Sequence, residues 1–366
     1  MIDESDVVYL DGNSLGRLSH DVVDAVTRVV RDEWGRGLVR SWSEWVDIGT
    51  RVGDRIGVGL LGAAPGETIV GDSTTVHLYK ALAAACAARP GPIAVDPREF
   101  PTDRYVAEGL RPVVPALEPG VAVALRSVVD YRTGEVRDVR ADTAAAHALG
   151  ALTVWDCSHA VGAVPLRLRE WDADLAVGCT YKHLAAGPGA PAWLWVRREL
   201  QSTLAQPIRG WWGQADRFSM DAPWSPLPGI GAWASGTPNV IGCTAVDAAV
   251  GVVLDAGIDA IHRKTMALCA FARDACDALG LSFASPRDPA RCGAHVAVRH
   301  PSAAAVVLAL RARGVVPDLR PPDVVRVGFS PLTTTFVEVW DGLSAMADVV
   351  ASGAWRSFVD ERPSVT

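Results

Sequence analysis

The chain has 366 residues, 49 % hydrophobic and 21 % charged, with a formal net charge of −7; this suits one large packed domain or two modest ones. The acidic balance argues against nucleic acid as the main partner. No apolar run reaches the roughly 18 uninterrupted residues of a membrane span, and the acidic start MIDESDVVYLDG lacks a signal peptide's basic and apolar regions, so no membrane and a cytoplasmic setting are expected.

Residues 7–18 (VVYLDGNSLGRL) are a short apolar run followed by turn chemistry at Asp11, Gly12, Asn13 and Gly16. Ser19 is a suitable N-cap for a helix over about 20–34. Residues 35–50 are rich in Gly and Trp; Trp42 and Trp45 are either core anchors or walls of a pocket for an aromatic ligand. A helix over about 50–62 follows. In ETIVGDSTTVHLYKALAAACAA a short strand leads through Asp72, Ser73, Thr74 and Thr75 into a long apolar helix. Hydroxyl side chains at a helix start serve an anion, or serve only as a cap.

Residues 92–96 read as a strand, with Phe100 just beyond it. A second strand over 121–129 passes Ser127, and a turn at Tyr131–Gly134 leads to a helix over about 139–149. Beyond the central segment, residues 206–240 are too rich in Trp, Pro and Gly for one regular element. Helices are expected over about 241–256, 257–280, 302–313 and 335–352, and strands over 294–299 and 324–329. The last dozen residues read as a frayed tail. Strands alternating with helices indicate a parallel sheet with crossover helices.

The centre of this scheme is 151–195. Two apolar runs, Ala151–Trp155 and Asp174–Cys179, read as buried parallel strands, followed by Asp156 and Lys182 at their carboxyl ends. Ligands of open α/β sheets bind at that edge. A Lys there can form a Schiff base with an aldehyde, and an Asp can keep a pyridinium nitrogen protonated, which is the pairing that pyridoxal phosphate needs. The chain has three lysines, Lys80, Lys182 and Lys264, so 32 of its 35 basic residues are Arg. A retained Lys is informative because it can lose its proton and attack a carbonyl. Lys80 and Lys264 lie in helical runs and read as surface charges; Lys182 follows a strand. The seven cysteines are scattered, odd in number and without a CxxC pair, which indicates reduced, mostly buried thiols; the eight histidines show no metal spacing, so no metal is expected.

In order along the chain, LDGNSLG (10–16), GLVRSW (37–42), STTVHLYKAL (73–82), FPTD (100–103), WDCSHAVGAVP (155–165), GCTYKHLAAGPGAPA (178–192), RGWWG (209–213), GTP (236–238) and RVGFSPL (326–332) resemble kynureninase. That family is a member of the aminotransferase-like, class V-like pyridoxal phosphate enzymes of fold type I. The resemblance implies an α/β fold: a large domain over 46–256 with a mostly parallel seven-stranded sheet, and a small α+β domain from 1–45 and 257–366. It implies that Lys182 carries the cofactor, Asp156 pairs with the pyridinium nitrogen, His159 flanks the ring and Phe100 stacks on it. Thr74, Thr75, Ser127 and Tyr181 would surround the phosphate or ring edge. Asp103, Trp211 and Thr237 match further cofactor contacts, the last two reaching across the interface of a homodimer with shared sites. Arg326 matches the holder of the substrate's α-carboxylate, and Asn13, Trp42, Gln214 and Gly236 would lie around the substrate. The implied reaction is hydrolytic Cβ–Cγ cleavage of kynurenine to anthranilate and alanine, within tryptophan catabolism and the kynurenine pathway, with Tyr181 as an acid/base.

Two positions depart from the family pattern. Gln214 stands where a His is usual, and His183 where Tyr is common. The exact substrate therefore stays open between kynurenine, 3-hydroxykynurenine and another decorated form. A cysteine desulfurase or lyase with Cys292 as its thiolate, an aminotransferase, and a non-catalytic binding protein on this fold are the competing readings.

Overall fold

The computed structural model describes residues 7–218 and 223–361. Strands β1 (Val8–Tyr9), β2 (Thr68–Gly71), β3 (Ile93–Val95), β4 (Val113–Val114), β5 (Val123–Ser127), β6 (Leu152–Asp156), β7 (Leu175–Gly178) and β8 (Ala192–Val196) precede β9 (His295–Arg299), β10 (Val315–Val316), β11 (Asp318–Arg320) and β12 (Val324–Gly328). The main helices are α1 (His20–Arg28), α2 (Trp42–Trp45), α3 (Ile48–Ile56), α4 (Thr74–Ala88), α5 (Pro101–Glu108), α6 (Val139–Ala148), α7 (Val240–Ala256), α8 (Ile258–Ala278), α9 (Ala303–Arg311) and α10 (Phe336–Ser352).

The large sheet has seven strands in the order β2-β8-β7-β6-β5-β3-β4. All its pairings are parallel except those of β8, which runs against β7 and β2. Its central strands are continuous apolar runs because both faces are covered. On one face Val154, Leu175, Val177 and Leu194 pack with Leu78 and Leu82 of α4. On the other Trp155, Ala176, Trp193 and Trp195 pack with Val52 and Ile56 of α3 and Val246 and Val250 of α7.

A second sheet, β11-β12-β9, is antiparallel. Leu10 joins its core together with Leu268, Val296, Leu310, Val327 and Leu343. The N-terminal segment gets there by pairing β1 in parallel with β10 and bridging Asp11 to Gly328. It then reaches the large sheet, where the Gly16 N–H donates to the Tyr181 carbonyl at 2.9 Å.

Five of the ten main helices, α1, α4, α6, α7 and α10, begin at a side-chain cap. Ser19 and Ser73 accept from the backbone N–H groups of Val22 and Val76, as N-cap hydroxyls do. The helix expected over about 20–34 is α-helical only to Arg28 and continues as a π-helical stretch to Gly37. The stretch 206–240 is irregular, with short 3₁₀ turns at Trp211–Gly213 and Gly229–Trp233; residues 219–222 lie outside the described residues. The expected frayed tail contains a 3₁₀ turn, Ala354–Phe358, and residues 1–6 and 362–366 lie outside the description. Among the described residues no single helix is long and apolar enough to cross a membrane.

One expectation is overturned. Lys80 is not a surface charge: its side chain is fully buried and bonded to Asp72. The helix face it occupies is covered by residues 233–235, which are distant in sequence and left no trace in the local pattern.

Candidate active site

The carboxyl edge of the large sheet gathers the central groups. Ser127 ends β5 and is the register partner of Asp156, which ends β6. Asp156 is in turn the partner of Val177 in β7, and Lys182 follows four residues after that strand ends. Asp156 is held by the Ser158 N–H, which donates to Oδ1 at 2.7 Å. Asp103, in the first turn of α5, is buried with its Oδ2 unpartnered. Burial, then the nearby charges of Asp156 and Glu99, push the Asp103 carboxyl well above the usual range.

The Lys182 ammonium lies 3.3 Å from both ring nitrogens of His159. Burial lowers its proton affinity; Arg326 and Arg320 add to this, and Cys179 and Asp156 oppose it. Such an amine is easier to deprotonate, as a nucleophile or base requires. His159 is buried, and burial together with Lys182 and Arg326 holds it neutral, well below its ordinary value. Burial raises the neighbouring Tyr181 hydroxyl, which therefore keeps its proton.

Arg326 connects the second sheet to this group. It is fully buried, and its Nη1 donates to the Tyr131 carbonyl at 2.7 Å and lies 3.3 Å from His159 Nε2. Its Nη2 donates to Ser14 Oγ at 2.8 Å and pairs with Asp318, its direct partner across β11 and β12. With its amide oxygen turned toward the guanidinium, Asn13 accepts from Nε at 2.7 Å. Burial brings Arg326 down to about 10. Ser14, Tyr131 and Asp318 were not foreseen. The signal for Asp318 was available: strands separated by a Pro-Pro turn place it opposite Arg326.

The other expected residues lie around this group or apart from it. Phe100 is at the surface before α5, its ring 5.3 Å edge-on from Tyr131. Thr74 and Thr75 are the first two residues of α4. Trp211 donates from Nε1 to Thr237 Oγ1 at 3.3 Å, and its ring meets Trp212, which also contacts Trp42. Gln214 accepts from the Ser225 N–H at 2.6 Å and so ties two loop segments together. Gly236 and Thr237 are exposed beside a cavity of about 330 Å³, whose wall also includes Asp72, Ser73, Ser235 and Pro191. Among the described residues, no hydrogen bond or ring contact joins Trp42, Trp211, Gln214 or Thr237 to the Lys182 group.

Cys292 is far from a mobile thiolate. It is buried, its Sγ lies 3.3 Å from the carbonyls of Pro286 and Asp288, and Arg273 donates to it at 2.9 Å. Burial raises its proton affinity, which disfavours nucleophilic chemistry. Among the described residues no group of three or more His, Cys, Asp or Glu is placed to hold a metal ion.

Comparison with known proteins places this geometry in a family. Residues 261–346 match the model of the kynureninase C-terminal domain. The chain is 37 % identical to kynureninase of Pseudomonas fluorescens over 389 residues, covering 98 % of this chain and 93 % of that protein. It is 38 % identical to kynureninase of Burkholderia pseudomallei (strain K96243), covering 96 % and 91 %. Among solved structures it resembles a cysteine desulfurase from Thermococcus onnurineus NA1 with a TM-score of 0.81, at 18 % identity and 95 % coverage of both chains. It also resembles the cystine C–S lyase C-DES with a TM-score of 0.83, at 15 % identity, covering 94 % of this chain and 98 % of that one. At such identities these two likenesses establish the fold alone, the α/β architecture of fold type I.

Proposed function

The chain belongs to the kynureninase family, and from that premise we propose that it hydrolyses the Cβ–Cγ bond of L-kynurenine, or of a 3-hydroxylated or otherwise substituted kynurenine, releasing L-alanine and the corresponding anthranilate. It is a hydrolase of carbon–carbon bonds in ketonic substances, it uses pyridoxal phosphate, and its substrate is an amino acid, a small molecule. The observation that carries the finer reading is the continuous contact chain from Lys182 through His159 to Arg326.

The residues fit the cofactor. Asp103 and Asp156 bring two buried carboxyl groups together, with one oxygen of Asp103 unpartnered; a pyridinium N–H satisfies that arrangement. Lys182 has no carboxylate within hydrogen-bonding distance among the described residues and is available to the aldehyde. The start of α4 offers the Thr74 and Thr75 hydroxyls and N–H groups that no intrahelical carbonyl can reach. When bound, pyridoxal phosphate supplies an electron sink for charge developing on the substrate.

Lys182 takes the proton from the substrate's Cα and returns one; its lowered proton affinity keeps the amine unprotonated and free to accept, and eases the return. Asp156 holds the ring-nitrogen proton. His159, neutral beside Lys182, flanks the ring, Ser127 sits at its edge, and Phe100 stacks on it. Arg326 takes the α-carboxylate through its fork, with Asn13 beside it. Tyr181 keeps its proton and serves as the acid nearest the leaving group. Trp42, Trp211, Gln214, Gly236 and Thr237 act from a neighbouring subunit. Their separation from the Lys182 group within one chain supports a homodimer with shared sites, and so do the exposed rings of Trp211, Phe218 and Tyr105. We take 46–256 as the cofactor-binding domain and 1–45 with 257–366 as the second.

The test is incubation of the holoenzyme separately with L-kynurenine and 3-hydroxy-L-kynurenine, with products identified by mass spectrometry. Anthranilate or its 3-hydroxy form, equimolar with alanine and lost in Lys182→Ala, is the expected result. If neither compound changes the cofactor spectrum or yields alanine, the reading fails. Sedimentation equilibrium tests the dimer, and a monomer that turns over substrate refutes it.

A further inference from the structure

The buried lysine that the mechanism leaves unused has all three of its donor directions filled. Lys80 Nζ donates to Asp72 Oδ2 at 2.6 Å, to the Trp233 carbonyl at 2.9 Å and to Ser235 Oγ at 3.1 Å. Ser235 Oγ also donates to Asp72 Oδ2 at 2.8 Å, which closes a three-membered polar network. Lys80 therefore has no donor left for a ligand and acts through the segments that it joins.

Those segments have a common property. Asp72 immediately precedes the cap Ser73 and the helix start at Thr74 and Thr75. It has φ of +42°, a left-handed conformation uncommon outside glycine, though less so for Asp. The ion pair to Lys80, two helical turns on, holds its side chain, within reach because helical side chains lean back toward the N-terminus. Ser235 immediately precedes Gly236 and Thr237. Downstream, Asn239 caps α7 by accepting from the Gly242 N–H at 2.9 Å. Gly236 and Thr237 are thus strung between two fixed points, and an added Cβ on Gly236 would meet nothing within 4 Å. Gly236 is therefore set by these anchors and not by packing, and Thr237 has one further hold, the hydrogen bond from Trp211 Nε1.

We propose that Lys80 is a positioning residue for phosphate binding: by clamping Asp72 to Ser235 it pre-organises the two hydroxyl-bearing segments, Thr74–Thr75 and Gly236–Thr237, that receive an anionic phosphate. The proposal rests on the cofactor reading above, in which Thr74 and Thr75 lie at the phosphate and Thr237 is a further cofactor contact. It holds whether Thr237 serves its own chain or a neighbour's, because the clamp lies within one chain. Pre-organisation lowers the ordering cost of binding, so the effect of losing Lys80 is specific to ligands that carry the phosphate.

The experiment measures dissociation constants of pyridoxal phosphate, and of pyridoxal without its phosphate, for the full-length apoenzyme by absorbance titration. Wild type is compared with Lys80→Met, Ser235→Ala and the double variant Thr74→Ala/Thr237→Ala. Ser235→Ala is included because it removes only a neutral link and leaves the Lys80–Asp72 pair in place, so it decides the matter if Lys80→Met does not fold. The expected result is a loss of pyridoxal phosphate affinity of about tenfold or more for Lys80→Met and about threefold to tenfold for Ser235→Ala, with pyridoxal affinity within twofold of wild type. If the threonine variant loses affinity but neither clamp variant does, the positioning role is refuted and the phosphate reading stands. Equal losses for both ligands also refute it, as a general structural defect. If no variant loses affinity, the phosphate reading fails and the proposal falls with it.

Discussion

Replacing Asp318 with Asn tests how the second sheet holds Arg326. Both side chains are fully buried, and they are direct partners across β11 and β12. The substitution keeps the shape and removes the negative charge, so Arg326 is left charged in the interior. Of the remaining groups around it, Ser14, Asn13, the Tyr131 carbonyl and His159 are neutral acceptors or dipoles, and Asp11 is a further acid whose charge acts on it. Arg320, 2.9 Å from Asp318, loses the same partner. Breaking a buried pair from one side costs about 3–5 kcal/mol. At about 2.1 cal/mol/K of unfolding entropy per residue, the 366 residues convert that cost into a drop in Tm of about 4–6 °C. Differential scanning calorimetry reads it directly. Asp323→Asn is the control: its pair with Arg132 at 3.1 Å is partly exposed, and such pairs contribute about 1 kcal/mol or less. A drop below about 1 °C for Asp318→Asn, or one equal to the control, refutes the view that this charge pair holds the arginine.

Gly16→Ala should lower kcat/KM at least tenfold with the fold retained by circular dichroism, because an added Cβ would lie 2.4 Å from the Lys182 carbonyl oxygen and 2.5 Å from the Ala185 Cβ; displacing a catalytic group by about 1 Å costs up to about a hundredfold. Cys292→Ser should leave the rate of alanine release within about twofold, and its complete loss would favour thiol chemistry instead. Asp11 is pushed up to about 6, first by burial and then by Asp318. A carboxyl raised in the folded state contributes stability that is present below its unfolded value and is lost as pH rises through about 6. Asp11→Asn removes that loss, so its Tm relative to wild type should rise between pH 4 and pH 7, by up to about 4 °C for about 3 kcal/mol of linkage. A pH-independent difference between the two proteins would show that Asp11 does not titrate in this range.

The alternation of apolar runs and helices made the large sheet legible in the sequence. A strand buried on both faces needs an uninterrupted apolar run, and the polar residue that ends the run marks the ligand edge. Asp156 and Lys182 can be placed by that logic from the sequence alone, and so can the caps Ser19 and Ser73, whose hydrogen bonds span three residues. What could not be read there depends on contacts between distant segments. Lys80 looks like any charge on a helix until residues 233–235 cover it, and its rarity in an arginine-rich chain was the one local signal. The family resemblance points to Arg326 as an anion holder, but its fixing by Asp318, Ser14 and Tyr131 requires the hairpin, the N-terminal segment and the turn after β5 to converge. The sequence by itself determined the layers, the sheet edge and which residues stand there, because local periodicity and capping are short-range. Only the tertiary structure decided which charges are buried and paired and which expected site residues stand apart from Lys182, because desolvation and charge pairing depend on what packs over a group and not on its neighbours in the chain.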